Sequence, residues 1–216
     1  MRKAVWTVSV DNYLPELTKH TFPSLQHWAD KIGADFHIIS ERKYPEFPPT
    51  YEKLQIYELG KPYEWNILVD ADLMIHPDMP DLTKQVPPDH VGYYMGFDAS
   101  LLFAADQYFL RHGKKIGVAT NFVVTHGMVH DFWTPLEFGW EIARTKTKRE
   151  FIIDEYCVSR NLAKFGLKHT GLFDEKTMPL MVHFDITTEK PDWDSVLTKI
   201  EKLEKQWSSE KIFRTY

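Results

Sequence analysis

The amino-acid sequence predicts an α/β fold, with a mostly parallel central sheet and helices on both faces. Three observations predict it. Strand-like apolar stretches alternate with stretches of helical spacing through the first 75 positions, the βαβαβ order of a parallel sheet. The run Ile67-Leu68-Val69 is continuously apolar, as a strand buried on both faces would be. That run stops at Asp70-Ala71-Asp72, at the carboxyl end of its strand, where open α/β sheets bind ligands.

Each element has its own justification. Residues 4–10 are the first strand, and Asp11-Asn12-Tyr13 breaks it. Residues 14–32 carry Leu14, Leu17, Phe22, Leu25, Trp28, Ala29 and Ile32. The later of these have helical spacing, Gly33 is the stop, and Pro23 suggests a helix start after a separate first turn. Residues 35–40 are a second strand. Residues 50–59 are a helix with Tyr51, Leu54 and Tyr57 on one face and Gly60 at its end. The aspartate-bearing strand follows, and Pro77 and Pro80 suggest that the chain then leaves the sheet. Further on, residues 92–97 read as a strand, 99–112 as a helix, and 118–125 as a strand carrying Asn121. Residues 128–144 read as a helix interrupted at Pro135, and 152–165 as a helix closed by Gly166. Residues 180–184 are a short strand, and Trp193, Val196, Leu197, Ile200, Leu203 and Trp207 stripe a terminal helix.

Composition narrows the function. The chain has 216 residues and is 43% apolar, enough for one domain with a sizeable core. Within it, residues 1–75 read as a nucleotide-binding part, 76–193 as an acceptor and catalytic part, and 193–207 as the C-terminal helix. The net charge of −5 argues against a nucleic-acid binder that relies on bulk charge. An anionic substrate must then be met locally. The lone Cys157 excludes an intrachain disulfide and a cysteine metal cluster, and it fits a reducing cytoplasm. No apolar run approaches the ~18 residues of a transmembrane helix.

The aspartate pair carries the chemistry. A buried strand does not end on two carboxylates without compensation. Aspartates at i and i+2 converge on one ion only where the backbone turns, because a regular strand holds them apart. One reading is a hard divalent cation carrying a phosphate-bearing substrate. The other is a turn in which Asp70 and Asp72 cap loop amides. A second pair, Asp192-Trp193-Asp194, opens the terminal helix and reads as N-terminal caps. His126 and His130 lie four apart but lack a zinc motif.

Several stretches together resemble the small nucleotide-sugar glycosyltransferases of the GT-A fold, a Rossmann-like single domain, and especially the glycogenin and bacterial lipopolysaccharide galactosyltransferase group. The stretches are Asp11-Asn12-Tyr13-Leu14-Pro15, Tyr51-Glu52-Lys53-Leu54, Asp70-Ala71-Asp72, Thr120-Asn121-Phe122-Val123-Val124, Asp154-Glu155-Tyr156, and Val182-His183-Phe184 followed by Lys190-Pro191-Asp192-Trp193. They follow the family's order. The resemblance implies a hexosyltransferase that takes a sugar from a nucleotide diphosphate, most readily a UDP-sugar, to a glycan acceptor with retention.

It also implies roles. Asp70, Asp72 and His183 would hold Mn²⁺, with Mg²⁺ the alternative, and Ala71 lies between the two aspartates. Lys190 would meet the β-phosphate. Lys53 would reach the donor sugar or phosphate, although spacing alone reads it as a surface helix lysine. Thr7, Ser9, Asp11 and Tyr13 would contact base and ribose, and Asn121 and Asp154 would hold sugar hydroxyls. Phe122 and Val123 replace the small residues usual after the asparagine, and Asp192 is inserted between proline and tryptophan. Glu155 stands where the family has glutamine. Near the anomeric carbon, Asp154 or Glu155 would act as nucleophile, as base or as stabiliser of the oxocarbenium-like state.

Other readings have weaker support. A phosphatase of the haloacid dehalogenase type places its aspartate pair near the N-terminus, with Thr or Val where Met74 stands here. A sugar nucleotidyltransferase needs a glycine-rich loop that residues 9–15 lack. A nucleotide-sugar-binding protein without transferase activity would keep the site and lose turnover. Residues 43–50 and 97–115 are the expected acceptor and lid regions. Lys202, Lys205, Lys211 and Arg214, interleaved with Trp207, Phe213 and Tyr216, could touch a membrane surface peripherally, but Glu201, Glu204 and Glu210 dilute that charge and favour packing.

Overall fold

The computed structural model describes residues 1–95, 117–184, 186 and 191–209. The expected strand at 92–97 lies partly outside them, and the expected helix at 99–112 and Lys190 lie wholly outside. The described strands are β1 (Lys3–Val8), β2 (Ala34–Ile39), β3 (Trp65–Val69), β4 (Leu73–Ile75), β5 (His90–Tyr93), β6 (Phe122–His126), β7 (Lys168–Gly171) and β8 (Met181–His183). The longer helices are α1 (Pro15–Ile32), α2 (Ile153–Lys164) and α3 (Trp193–Ser209).

Six strands form the central sheet in the order β2-β1-β3-β6-β5-β7. β1 pairs in parallel with β2 and β3, and β5 with β7. β6 runs antiparallel between β3 and β5, so the sheet is mostly parallel with one reversed strand. Alternate residues of the central strands feed two cores, the two-residue period of a strand. Ala4, Trp6, Leu68 and Val123 face one way, with Ile153, Tyr156, Cys157 and Leu162 of α2. Val5, Ile67, Val69, Phe122 and Val124 face the other, with Leu25, Trp28 and Ile32 of α1. Fully burying each large apolar side chain contributes ~1.5–3 kcal/mol, so both faces of β3 are bound to helices. This is why its sequence is apolar without alternation.

Some expectations are corrected. α1 runs unbroken through Pro23 rather than starting there. Gly33 ends it with φ 67°, a left-handed value that favours glycine. Residues 50–59 are not one α-helix. A 3₁₀ stretch, Pro49–Gln55, leads into a single α turn, Ile56–Leu59. Gly60 ends that turn, and a Cβ there would lie 2.6 Å from the Ile56 carbonyl oxygen and 2.7 Å from the Asn66 side chain. Residues 128–144 do not form a helix either. They hold the 3₁₀ stretch Gly127–Trp133 and, beyond Pro135, one turn at Trp140–Ala143. The expected strand at 118–125 is regular only from Phe122. β7 has no apolar run, and no strand was expected at it.

The chain does leave the central sheet after the aspartate pair, but it forms a strand at once. β4 pairs antiparallel with β8, with Leu73 opposite His183. This ribbon brings a residue 111 positions away, by the numbering of Asp72 and His183, to the aspartates.

Candidate active site

β3 ends and the backbone turns at once. The Leu73 amide donates to the Asp70 carbonyl oxygen at 3.1 Å, which closes a turn across Asp70-Ala71-Asp72. The Thr21 hydroxyl of α1 donates to the Ala71 carbonyl oxygen at 2.6 Å and holds the turn from below. The Asp70 amide donates to the Asn121 carbonyl oxygen at 2.9 Å, and the Phe184 amide to the Asp72 carbonyl oxygen at 3.1 Å. The turn makes the i, i+2 carboxylates converge. One ligand atom from each of Asp70, Asp72 and His183 falls within 4.8 Å of the others. His183 Nε2 lies 3.2 Å from Asp72 Oδ1. Two hard carboxylates and an imidazole at this separation fit a divalent cation.

Behind the turn lies a second cluster. Lys53 projects from the Pro49–Gln55 stretch and is only 6% exposed. Its ammonium lies 2.7 Å from Asp70 Oδ1 and 3.1 Å from Asp154 Oδ2. It also donates to the Thr120 hydroxyl at 3.0 Å, and that hydroxyl donates to Asp154 Oδ2 at 2.6 Å. The surface-lysine expectation fails because the 3₁₀ stretch packs Lys53 inward beside Tyr51 and Leu54. Burial alone would lower the Lys53 pKa. Asp154 and Asp70 outweigh it and hold the ammonium above the ordinary lysine range. Burial pushes the Asp70 carboxyl up, Lys53 opposes that, and Asp72 adds to the push.

Asp154 and Glu155 stand in the first turn of α2. Glu155 Oε1 accepts a long hydrogen bond of 3.4 Å from the Thr120 amide. Burial, then the neighbouring Asp154, pushes Glu155 up to about 8. Among the described residues, Asp154 Oδ1, Glu155 Oε2, Asn121 Oδ1 and Thr7 Oγ1 are buried with no hydrogen-bond partner. Such atoms call for an explanation, and a polar ligand supplies one.

β1 leaves the sheet at the same edge. Its register pairs Trp6 with Leu68, so residues 7–11 and 69–72 emerge side by side. Ser9 is tied to β2 through Ile39. Asp11 and Asn12 adopt left-handed φ values of 55° and 57°, as does Leu14 at 42°, and Tyr13 is exposed at the turn. Arg42 holds this turn, with Nη1 2.6 Å from Asp11 Oδ2 and Nε 2.9 Å from the fully buried Glu52. The structure therefore brings Asp70, Asp72, His183, Lys53, Asp154 and Glu155 together, with Thr7, Ser9, Asp11, Tyr13 and Asn121 along one edge. Sequence reasoning missed Thr120, Thr21 and Arg42. Thr120 stood next to Asn121 in a quoted motif, whereas Thr21 and Arg42 gave no signal of their own.

Asp192 and the His126/His130 pair have structural roles. Asp192 accepts from the Ser195 amide at 3.3 Å at the start of α3. His126 accepts from the Met128 amide, and His130 bonds the Tyr57 carbonyl oxygen. Trp207 is buried and packs edge-on against His76. Among the described residues, no helix is long and apolar enough to cross a membrane.

No protein-family model and no curated protein sequence matches the chain. Solved structures do. A glycosyltransferase involved in glycosylation of the major capsid of PBCV-1 superposes with a TM-score of 0.54 over 94% of this chain and 100% of that one, at 10% identity. The galactosyltransferase LgtC, solved with donor and acceptor sugar analogues, gives 0.52 over 95% of each chain at 13% identity. The fold of this chain is thus the GT-A fold of glycosyltransferases.

Proposed function

We propose that the protein is a metal-dependent glycosyltransferase that moves a hexose from a nucleotide-diphosphate sugar, UDP-linked in our reading, to a glycan acceptor with retention at the anomeric carbon. The observation that carries the reading is the Asp70–Asp72–His183 cluster, set by a closed turn at the carboxyl edge of a GT-A sheet. When bound there, Mn²⁺ supplies the Lewis-acid neutralisation that makes a nucleoside diphosphate a good leaving group.

The chain's own residues do the rest. The Asp11–Tyr13 turn receives base and ribose beside β1. Lys190 stabilises the diphosphate as a point charge. Asn121 and Asp154 accept sugar hydroxyls with the carboxylate and amide oxygens that lack partners. Lys53 acts from within, because its three close contacts are to protein oxygens. It opposes the rise that burial imposes on Asp70 and fixes Asp70 and Asp154 in place. The whole site then comes from one chain in a single domain of cytoplasmic location.

The test is isothermal titration of UDP with and without Mn²⁺, followed by a screen of UDP-sugars for hydrolysis. Metal-dependent UDP binding with slow donor hydrolysis is the expected result. Binding without hydrolysis of any sugar nucleotide would favour a binding protein. No UDP binding in either condition would overturn the UDP reading and send the search to GDP.

A further inference from the structure

The carboxylates around Lys53 outnumber its single positive charge. Three carboxylates, Asp70, Asp154 and Glu155, act on one buried lysine. Lys53 lies on Asp70 and Asp154, and Asp154 has the Thr120 hydroxyl besides. Glu155 has one long amide contact and a buried oxygen with no partner. A divalent ion on Asp70 and Asp72 would not change this. It would balance those two, Lys53 would balance Asp154, and Glu155 would still lack a counter-charge among the described residues. The charged groups that act on it are Asp154 from its own helix, Lys53 from the Pro49–Gln55 stretch and Asp70 from the turn after β3. The start of α2 favours an ionised carboxylate, by up to ~2 kcal/mol in a partly buried setting. Glu155 is half-buried with its Oε2 sealed from solvent, and desolvating an uncompensated carboxylate costs several kcal/mol, more than the helix returns.

We propose that Glu155 enters the reaction as a neutral carboxylic acid: its Oε1 accepts from the Thr120 amide and its Oε2 carries the proton as a hydrogen-bond donor to the bound sugar, so that it is neither nucleophile nor base. The rise of its pKa to about 8 agrees with this arrangement. The neutral acid has the donor and acceptor pattern of an amide. The choice of substrate rests on the glycosyltransferase reading, whereas the protonation state does not.

Two measurements test it. Infrared difference spectroscopy at pH 7 should show a protonated carboxyl stretch in the wild type that Glu155→Gln removes. Its absence from the wild type would overturn the proposal. In donor hydrolysis, Glu155→Ala should lower turnover about tenfold, the worth of one hydrogen bond to the reacting sugar. Glutamine should restore most of that loss and remove the decline in rate that the wild type shows as pH rises through about 8. Glu155→Gln falling ~100-fold or more, as loss of a nucleophile or base requires, would also overturn it. If the wild type fails to bind UDP in calorimetry, the donor reading fails. The infrared result then still decides the protonation state.

Discussion

The Asp70–Asp72–His183 cluster and the Lys53 cluster share one carboxylate, yet their charges are met differently. In the first, the side chains of Asp70 and His183 are 23% and 30% exposed, and the acids face each other and an imidazole. In the second, Lys53 and Asp154 are 8% and 2% exposed, and the ammonium is shared among three protein oxygens. The partly open cluster has ligand capacity left over, whereas in the closed one the ammonium is fully engaged and only Asp154 Oδ1 and Glu155 Oε2 remain for a ligand. Binding sits where internal partners run out, and the closed cluster holds the open one in shape.

The strongest way to break that contrast is to remove Lys53, the closed cluster's one cation among the described residues. Lys53→Met should destabilise the protein by ~3 kcal/mol, the low end for breaking a buried pair, because it leaves the buried Asp154 and the partly exposed Asp70 without their counter-ion. Urea unfolding would read it. A loss below ~1 kcal/mol would mean that water reaches those carboxylates and the cluster is not closed.

The closed cluster should also set the pH dependence of stability. Folding raises Glu155 from its ordinary value near 4.5 to about 8. The folded protein therefore holds a proton that the unfolded chain has released. The stabilisation is fully present below about 4.5 and is lost as pH rises through about 8. By pH 7 the loss amounts to no more than about 3 kcal/mol. Unfolding curves at pH 5 and pH 7 should show it in the wild type and not in Glu155→Gln. Equal slopes in the two proteins would place the titrating group elsewhere.

The open cluster should respond in binding rather than in stability. Asp72→Ala removes one of the three proposed ligands, so the affinity for Mn²⁺ with UDP should fall at least ~100-fold, the top of the range for merely supporting residues. Calorimetry on the variant reads this directly. Metal-dependent UDP binding that survives would show that the nucleotide uses another site. The unfolding midpoint should move far less than with Lys53→Met, because Asp72 has no buried cation to leave stranded.

The same contrast explains what could be read from the sequence. The strand into Asp70 was legible because both faces of β3 are buried and the apolar run has no gaps. The aspartate pair was legible because its cost in that place has few explanations. The Lys53 cluster was not. A helical reading of residues 50–59 gave them one apolar face and put Lys53 on a surface, whereas residues 51–55 are buried on every side. Thr120 joins Lys53, Asp154 and Glu155 through contacts 34 to 67 residues apart, which no local pattern encodes. β7, with its charged and polar Lys168-His169-Thr170 sequence, sits at the end of the sheet order beyond β5. An edge strand needs no apolar periodicity.

The smallest expected effect tests whether the nucleotide turn follows the rule of the open cluster or of the closed one. Arg42 joins both kinds of group, the exposed Asp11 and the buried Glu52. Its loss would not strand Glu52, whose oxygens also accept from the Lys43 and Tyr44 amides at 3.0 Å each and from Gln55 at 2.8 Å. Arg42→Ala should therefore cost only about 1.5 kcal/mol, the low end for a hydrogen bond to a charged group. Asp11, however, itself left-handed like Asn12 beside it, would lose its charged anchor, and the turn would have to be ordered on binding. UDP affinity should then weaken by less than about tenfold, with the affinity for Mn²⁺ alone unaltered because the aspartate turn is held separately by Thr21 and Asn121. If both affinities fall together, the nucleotide turn and the metal cluster are one cooperative unit. If neither falls, Asp11 has no part in holding the nucleotide.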